Sequence, residues 1–351
     1  MIIPNLDLAP ITRHLRAKAS SYLLVSAVHH LNVFEALISG PLSITELQQR
    51  LHLKERPVMV LFPALCAMGM LQYNEAGHLQ LTEVGRFLSS AEPANLLGYA
   101  GLEKQDPGVL KMTLWLRNDG PEDVSQSMSY VKDETAVSPM DQPDTARFFT
   151  MALAGRARYL SPVVAGKITK TPGFFLDVAG GTGYYTYEWL MVNPGSQAAV
   201  FDRPEVLKVA AQLLDEFCTG EREGIDTLKD RVHFIEGDML NDDLPKADIL
   251  LAASLFHDWP TNTCQTLADK FAGALNPGGE LWIHDSFLDD TLDGPIAVTD
   301  YSAMLFTATK GRAYSRKEYR SWLSAAGLEP NSQNIPTLMD YGLLSARKPV
   351  K

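Results

Sequence analysis

Hydrophobic positions in the first third of the chain recur at helical spacing and then alternate as in short strands. In SITELQQRLHL, Ser43 and Glu46 have the spacing of a capping box, and apolar residues follow on one face of the predicted helix. A second apolar stripe, in RPVMVLFPALCAMGML, ends at Gly69. The segment YNEAGHLQLT then predicts a two-stranded hairpin with its turn at residues 74–77. The order of helix, helix and hairpin is typical of a winged helix.

From Gly173 onward, short apolar runs alternate with amphipathic helical segments. The apolar runs are FFLDVAG, AAVFD, VHFIEGD, ADILLAASLF and GELWIHD. This alternation predicts an α/β domain whose parallel sheet is covered by helices on both faces. Between the two patterned parts, residues 119–145 are polar, acidic and without clear periodicity, which predicts a connecting loop.

Because 351 residues exceed what one hydrophobic core usually serves, we expect more than one domain. We predict a winged-helix domain at residues 1–100, and linker helices with a substrate-lining segment at 101–165. The α/β domain is predicted at 166–351. The amphipathic segment ARFFTMALAGRARYLSPVVAGKI is predicted to lead into that domain as a helix.

The charge of the chain disfavours nucleic acid and anionic membranes as partners. The net charge is −11, and residues 1–100 carry as many acidic as basic side chains. A winged helix without excess positive charge favours dimerisation over DNA binding. Apolar runs such as 249–256 are too short to span a bilayer, and the N-terminus lacks the pattern of a secretory signal. These features predict a cytoplasmic protein that binds a small molecule.

The sequence does not predict a disulfide framework or a metal site. Cys66, Cys218 and Cys264 are isolated in the chain and share no spacing with each other or with histidines that would suit zinc. We interpret all three as core or helix residues.

A glycine-rich turn follows the first predicted strand of the α/β domain. In FFLDVAGGTG the strand ends at Asp177, and the chain turns on Gly180, Gly181 and Gly183 into a helix. Such turns let a ligand approach the backbone closely, but nucleotide and dinucleotide folds of several kinds use them. The turn therefore predicts a nucleotide-like ligand without naming it.

Acidic residues end the next two predicted strands. Asp202 lies 19 residues beyond Gly183, where an acid accepts hydrogen bonds from ribose hydroxyls. Asp238 is placed to accept a hydrogen bond from an adenine amino group, with Met239 packed against the ring. A dinucleotide pattern would need a glycine where the chain has Thr186, so a nucleoside is favoured. Each acid by itself could also be a solvated loop carboxylate.

Taken together, these motifs resemble the winged-helix O-methyltransferases, which include plant phenolic, acetylserotonin, and bacterial polyketide and phenazine methyltransferases. The similarity runs collinearly through LTEVGRFLSS, DVAGGTG, VFDRPEV, EGDML, LFHDWP, ALNPGGELWIHD and SRKEYRSWLSAAGL. It implies a Rossmann-like class I methyltransferase domain that binds S-adenosylmethionine, with Arg203 of VFDRPEV among the cofactor-binding residues. It also implies a homodimer formed through the N-terminal domain.

The resemblance places His257, in LFHDWP, where the family has its general base, after the fourth predicted parallel strand. A phenol with a pKa of about 10 reacts poorly at neutral pH, and an imidazole with a pKa near 6.5 can remove its proton. Asp285 matches the first of two acids that hold the base in the family, whereas Ala313 stands at the second acidic position. Ala179 replaces the first glycine of the loop, which is tolerable if this residue has a negative φ.

Positions that the family uses to line the substrate site match Met304 and Ala308, and Phe149, Leu153 and Phe306 are candidate walls. Ordinary core packing is the alternative for each of them. We predict an enzyme that transfers a methyl group from S-adenosylmethionine to a hydroxyl of a small aromatic, quinone or polyketide-like molecule, without a metal. The alternatives are a cofactor-binding enzyme with a different reaction, such as a pericyclic one, and a winged-helix regulator.

Overall fold

The structure is a computed structural model, and it describes residues 4–121, 138–168 and 172–350. Most of the loop predicted at 119–145 lies outside these residues. The described α-helices are α1 Ala9–His29, α2 Val33–Ala36, α3 Ile44–Leu51, α4 Glu55–Ala67, α5 Glu83–Arg86, α6 Leu97–Ala100, α7 Pro107–Asn118, α8 Pro143–Ala165, α9 Tyr184–Val192, α10 Pro204–Phe217, α11 Thr261–Ala274, α12 Ile296–Phe306 and α13 Arg316–Ala325. The described β-strands are β1 Leu71–Tyr73, β2 Leu79–Leu81, β3 Phe174–Val178, β4 Gln197–Asp202, β5 Val232–Glu236, β6 Ala247–Ala253, β7 Leu275–Asp285, β8 Glu329–Pro330, β9 Ile335–Pro336 and β10 Gly342–Arg347.

The chain divides into two compact units. The sheet unit comprises Met1–Ala9, Tyr130–Ser286 and Lys317–Lys351, and the helical unit comprises Pro10–Ser129 and Phe287–Arg316. The boundaries predicted near residues 100 and 165 stay predictions.

The sheet unit is built on one mixed sheet in the described part of the chain. Its strand order is β5-β4-β3-β6-β7-β10-β8, and β9 pairs with β10. Strands β3 to β7 pair in parallel, whereas β10 runs antiparallel to β7. The predicted α/β class is therefore confirmed. Because the strand order reverses at β3, the carboxyl ends of β3, β4 and β6 open a crevice where such sheets bind ligands.

Buried strands and helices fix the position of this crevice. Four of the five residues of β3 are buried, and so is most of α9, which follows the glycine turn. Phe175 of β3 stacks on Trp189 of α9, with ring centroids 4.5 Å apart. Helix α8 packs against α9 and α10. The turn between β3 and α9 is therefore held between two packed elements.

The helical unit contains the helices and the hairpin predicted for the first third of the chain, whereas its assignment as a winged helix stays a prediction. Ser43 Oγ accepts a hydrogen bond from the Glu46 amide at 3.2 Å, and the Glu46 carboxylate accepts one from the Ser43 amide at 2.8 Å. This reciprocal pair confirms the predicted capping box. Strands β1 and β2 form the predicted hairpin, with the Asn74 side chain accepting hydrogen bonds within its turn.

A segment from late in the sequence completes the core of the helical unit. Helix α12 packs on α4, and Phe306 is fully buried among the core residues of this unit. Arg56 of α4 donates to Asp119 Oδ1 and to the Thr309 carbonyl, each at 2.8 Å, and its guanidinium lies over the ring of Phe306. The predicted α/β domain at 166–351 includes this segment, whereas the structure groups 287–316 with the helical unit. Nearly all residues of α12 are buried. The sequence prediction for the α/β domain expected amphipathic helices, which leave one face exposed, so it did not identify α12 as a core helix of the other unit.

Candidate functional site

The first strand that reaches the site, β3, ends near a fully buried carboxylate. Asp177 Oδ2 accepts a hydrogen bond from the Thr186 hydroxyl at 3.0 Å, whereas Oδ1 is buried without a hydrogen-bond partner. Burial raises the pKa of Asp177 to about 7, against the opposing effect of the Thr186 bond. A cationic or hydrogen-bond-donating ligand would therefore stabilise the charged form of this side chain.

The turn after β3 brings the backbone close to its neighbours. A Cβ atom at Gly180 would lie 2.8 Å from Cγ of Asp177, which leaves room only for glycine. The amide of Gly181 donates to Asp202 Oδ2 at 2.9 Å, so the turn is tied to the end of β4. Gly183 caps α9 with a φ of 74°. All three predicted glycines thus have a steric or conformational reason to be glycine.

Ala179 does not meet the condition under which alanine is tolerated at this position. Its φ is 53°, in the left-handed region, rather than negative. The Ala179 amide donates to the Phe201 carbonyl on β4 at 2.8 Å, and this bond fixes the direction in which the chain leaves β3. A residue with a Cβ atom costs roughly 1–2 kcal/mol in this conformation. The turn is therefore strained at Ala179.

Asp202 ends β4 beside the turn. Its carboxylate accepts hydrogen bonds from the amides of Gly181 and Arg203, at 2.9 and 2.7 Å. Burial nevertheless raises the pKa of Asp202 to about 6. The two backbone bonds hold the carboxylate at the carboxyl edge of the sheet, where it can accept hydrogen bonds from ligand hydroxyls.

Arg203 connects the ends of β4 and β5 to the turn at residues 139–141. Its Nε and Nη2 atoms donate to the two carboxylate oxygens of Asp141, at 2.7 Å each. Nη1 lies 3.3 Å from Oδ2 of Asp238. The Asp238 carboxylate also accepts hydrogen bonds from the Leu240 amide and the Asn241 side chain, at 2.9 Å each. Asp238 is therefore oriented by its own loop and by Arg203.

These side chains line one cavity of the sheet unit, with a volume of about 220 Å³. Two predicted substrate-contacting residues of α8, Phe149 and Leu153, line the same cavity. Gly183, which is also predicted to bind the cofactor, lies at the start of α9 and is not among the lining residues. The predicted cofactor-binding residues found in the lining are Asp177, Gly180, Gly181, Asp202, Arg203, Asp238 and Met239.

The chemistry of the lining fits a nucleoside that carries a positive charge. Within the described residues, carboxylates outnumber guanidinium groups in the lining, which contains Asp177, Asp202, Asp238, Asp258, Arg156 and Arg203. The glycine turn admits close backbone approach, and the unpartnered oxygen of Asp177 favours a donor or a cation. A sulfonium ion would favour the ionised forms of these carboxyl groups. The residues present therefore fit S-adenosylmethionine.

His257 follows β6 in the short turn Phe256–Asp258, where the pairing of β6 with β7 brings it to Asp285. His257 Nδ1 lies 2.5 Å from Asp285 Oδ1, and Nε2 lies 3.5 Å from Asp258 Oδ1. Asp258 lines the cavity, whereas His257 and Asp285 are buried and are not among its lining residues. The structure thus brings the two predicted catalytic residues together.

Carboxylates, rather than solvent, set the basicity of His257. Burial by itself lowers its pKa, but Asp285 and Asp258 outweigh burial and raise the pKa to about 9. The ordinary value assumed from sequence is therefore wrong for this imidazole. Because Nδ1 faces Asp285, the neutral form donates from Nδ1 and keeps its lone pair at Nε2.

A second histidine, His284, lies one residue before Asp285. Its Nδ1 and Nε2 atoms lie 3.3 Å from the Tyr185 hydroxyl and 3.0 Å from the Thr337 hydroxyl. Burial lowers the pKa of His284 to about 3, so its ring is neutral at physiological pH. His284 is suited to packing and hydrogen bonding rather than to proton removal.

Three residues in this arrangement were missed from the sequence. Tyr319 donates its hydroxyl to Asp285 Oδ2 at 2.8 Å, Asp258 lies beside the imidazole, and Asp141 binds Arg203. The contacts of Tyr319 and Asp141 join residues that are distant in sequence, and the contact of Asp258 depends on the geometry of the turn after β6. Local hydrophobic periodicity reveals none of these contacts. The one available signal was Ala313, because the loss of an expected acid implies that another group supports the base.

The remaining predicted substrate residues lie in the helical unit. Met304, Phe306 and Ala308 belong to α12 and the turn after it. The Phe306 ring is fully buried in the core of that unit, which is the packing role weighed as the alternative. A substrate role for these three residues stays a prediction.

Two general features of the structure bear on function. In the described ranges 4–121, 138–168 and 172–350, no group of three or more His, Cys, Asp or Glu side chains is arranged to hold a metal ion. None of the helices that the structure describes combines the length and apolar composition needed to cross a bilayer.

Comparison with known proteins adds the family. Residues 166–329 match the family model described as an O-methyltransferase domain. The curated relatives include 3-hydroxy-5-methyl-1-naphthoate 3-O-methyltransferase from Streptomyces sahachiroi, 25% identical over 86% of this chain and 84% of the relative. They also include the tetracenomycin polyketide synthesis 8-O-methyl transferase of Streptomyces glaucescens, 28% identical over 88% of this chain and 87% of that protein.

A solved structure is similar over nearly the whole chain. It is the O-methyltransferase family 2 protein from Planctomyces limnophilus in complex with apigenin. The two chains are 36% identical, with a TM-score of 0.86, and the match covers 99% of this chain and 98% of the other. This chain therefore belongs to the S-adenosylmethionine-dependent O-methyltransferases, the family that its sequence motifs resemble.

Proposed function

We propose that the protein transfers a methyl group from S-adenosylmethionine to a hydroxyl of a small aromatic, quinone or polyketide-like molecule, with His257 as general base. The observation that carries this proposal is the 2.5 Å contact between His257 Nδ1 and Asp285 Oδ1, next to a cavity that suits the cofactor. The pair has the geometry that orients an imidazole for proton removal at its other nitrogen.

Cofactor binding is assigned to the carboxyl ends of β3, β4 and β5. When bound, S-adenosylmethionine supplies an electrophilic methyl group on a sulfonium centre. Asp202 would accept from the ribose hydroxyls, and Asp238 from the adenine amino group, with Met239 against the ring. Asp177 would contribute a carboxylate toward the cationic part, and the Gly180–Gly181 backbone would border the ligand.

The role of His257 is to take the proton of the acceptor hydroxyl at Nε2. Its pKa of about 9 approaches the pKa of a phenol, about 10, so proton transfer between them is close to balanced. Asp285 stabilises the imidazolium that forms, and Asp258 adds negative charge on the Nε2 side. A less acidic aliphatic hydroxyl would be a poorer acceptor because its proton is far harder to remove.

The cavity wall and the relatives support the proposed acceptor class. Phe149, Leu153 and Ala157 of α8 give the cavity an apolar side suited to a flat molecule. The named acceptors or ligands of the relatives are a hydroxynaphthoate, a tetracenomycin polyketide and apigenin. We assign the same broad acceptor class here.

We also propose that the protein is a homodimer formed through the helical unit. Large apolar side chains are exposed on α1 and α7 of this unit, namely Ile11, Leu15, Leu110 and Leu114. Exposed apolar side chains of this kind are characteristic of association surfaces. A dimer mass in light scattering is the expected result, and a monomer at micromolar concentration would contradict it.

The test of the function uses methyl-deuterated cofactor and a panel of phenols, hydroxyquinones and polyketide enols, with mass spectrometry of the products. We expect label on an oxygen of at least one acceptor. His257→Ala should reduce this transfer by about 10²- to 10⁴-fold while cofactor affinity is retained. The matched control is His233→Ala, which changes an exposed histidine on β5. Unchanged transfer by His257→Ala would remove the base assignment, and label only on carbon or nitrogen would remove the hydroxyl acceptor.

A further inference from the structure

The carboxylate that holds the base is itself held at both oxygens. Asp285 Oδ1 contacts His257 Nδ1 and accepts a hydrogen bond from the Ser286 amide at 2.8 Å. Asp285 Oδ2 accepts the hydroxyl proton of Tyr319 at 2.8 Å. Asp285 and Tyr319 are both fully buried, so solvent does not compete for these bonds.

Tyr319 has little freedom to direct its hydroxyl elsewhere. Its ring contacts the rings of both Phe256 and Trp322, with centroids 5.4 Å away and edge-to-face angles of 65° and 67°, and those two rings stack 6.3 Å apart. Phe256 immediately precedes His257 in the turn after β6. The tyrosine therefore packs against the turn that carries the base and bonds to the acid that orients it.

In the family that this chain resembles, two acidic side chains hold the base. This chain departs from that pattern at both positions. Asp285 has a side chain one methylene shorter than a glutamate, and Ala313 supplies no second carboxylate. A buried carboxylate with one oxygen unsatisfied would rotate or bind a proton. The Tyr319 hydroxyl satisfies the second oxygen and holds the carboxylate plane toward His257.

We propose that Tyr319 is a positioning residue for the methyl transfer, which acts through Asp285 to orient His257 and to set its basicity. This inference rests on the proposed role of His257 as the base. Donation from Tyr319 disperses part of the negative charge of Asp285, so the carboxylate attracts the imidazolium proton less strongly than it would alone.

Removal and strengthening of the Tyr319 hydrogen bond shift the pKa of His257 in opposite directions. Without the Tyr319 hydroxyl, Asp285 is more basic and stabilises the imidazolium more, so the pKa of His257 rises. A more acidic phenol at position 319 donates more strongly and lowers that pKa. His257 accepts a proton only in its neutral form, so kcat/KM falls as the pH drops below the pKa of His257. This falling part of the pH profile, the acid limb, therefore moves with that pKa in each variant.

The experiment compares Tyr319→Phe with a protein that carries 3-fluorotyrosine at position 319. For Tyr319→Phe we expect kcat to fall about tenfold to a hundredfold with little change in KM, and the acid limb to move to higher pH. For the fluorinated protein we expect the acid limb to move to lower pH. Titration of the His257 ring nitrogens by NMR, without cofactor, should show the same two shifts.

Two controls separate positioning from folding. Tyr73→Phe removes another buried tyrosine hydroxyl, in the hairpin of the helical unit, and should leave kcat and the pH profile unchanged. In an Asp285→Asn background, Tyr319→Phe should cause little further loss, because Tyr319 acts through the carboxylate. The fluorinated protein keeps the size and bonding of tyrosine, so it decides the question even if Tyr319→Phe does not fold.

The failure of this inference is distinct from failure of the proposed function. Loss of activity in His257→Ala together with an unmoved acid limb in both position-319 proteins would overturn the role of Tyr319 alone. Full activity in His257→Ala would overturn the base, and the inference with it. Opposite shifts of the limb in the two position-319 proteins would support Tyr319 as the positioning residue.

Discussion

Nδ1 of His257 and Oδ1 of Asp285 lie 2.5 Å apart, and at most 2% of either side chain is exposed to solvent. Solvent screens this buried pair little, so the charge of Asp285 acts strongly on the imidazole. The pair therefore determines the pH range in which His257 is neutral.

The first prediction is that kcat/KM of the wild-type protein rises from neutral pH and levels off near the His257 pKa of about 9. The base must be neutral to accept a proton, so activity falls as the pH drops through this value. Asp285→Asn removes the carboxylate, which should move the acid limb to lower pH and reduce the maximal rate by about 10²- to 10⁴-fold.

The measurement is a pH–rate profile from about pH 6 to 10 for both proteins. Asp215→Asn is the control, because its carboxylate is exposed and pairs with Lys229 on the surface. An acid limb that stays in place in Asp285→Asn would show that another group controls the titration.

The second prediction concerns cofactor affinity. Asp177 and Asp202 have pKa values raised to about 7 and about 6, and a sulfonium cation favours their ionised forms. Affinity for S-adenosylmethionine should therefore increase about tenfold between roughly pH 5.5 and 7.5, with protons released on binding. S-adenosylhomocysteine, which lacks the sulfonium charge, should show a smaller increase.

Calorimetry in two buffers of different ionisation enthalpy measures the protons released. The control is Asp177→Asn, which should release fewer protons because one titrating carboxyl group has been removed. Proton uptake, or equal pH dependence for both ligands, is incompatible with this account of the cavity.

The third prediction uses the strain at Ala179, whose φ is 53°. Ala179→Gly removes a Cβ atom from the left-handed region, and the gain is partly offset by the greater freedom of glycine in the unfolded chain. The net stabilisation should be about 0.5–1 kcal/mol. Thermal denaturation should show a midpoint higher by about 1 °C.

Gly181→Ala is the matched substitution, because Gly181 has a φ of 57° and open space at the Cβ position. It should destabilise the protein by about 1 kcal/mol through conformation alone. If both variants melt at the wild-type temperature, the left-handed conformations in the turn cost nothing measurable.

The fourth prediction concerns Arg56 in the helical unit. Its guanidinium binds Asp119 and the carbonyls of Thr309 and Gly311, and it is mostly buried. Arg56→Ala leaves these acceptors without their donor and should lower the free energy of unfolding by about 2–3 kcal/mol.

Chemical denaturation followed by circular dichroism checks this value. Arg86→Ala is the control, because Arg86 pairs with Glu92 on the exposed surface and should change stability by at most about 1 kcal/mol. Equal effects of the two substitutions would mean that burial adds nothing to the Arg56 contacts.

The parts of the site that lie at strand ends could be predicted from the sequence. Asp177, Asp202 and Asp238 each follow a short apolar run, and parallel strands bring such positions to one edge. The cavity lining contains all three. His257, after the run that forms β6, was placed by the resemblance to the family and not by its position at a strand end alone.

The parts that depend on tertiary contact could not be predicted. Tyr319 reaches Asp285 across 34 residues, and no periodicity links them. The high pKa of His257 depends on two carboxylates whose distances are set by the folded backbone. Ala179 combines a left-handed conformation with a bond from its amide to the Phe201 carbonyl, and residue preference alone reveals neither.

Residues 287–316 belong to the same unit as residues 10–129, although they are far later in the sequence. This has a consequence for synthesis of the chain on the ribosome. Residues up to Leu116 contribute to a core that also needs Phe306, which is translated about 190 residues later. At about 5–20 residues per second, the ribosome requires roughly 10–40 s to supply that residue. In the nascent chain, an apolar face of α4 therefore stays uncovered until most of the protein has been made.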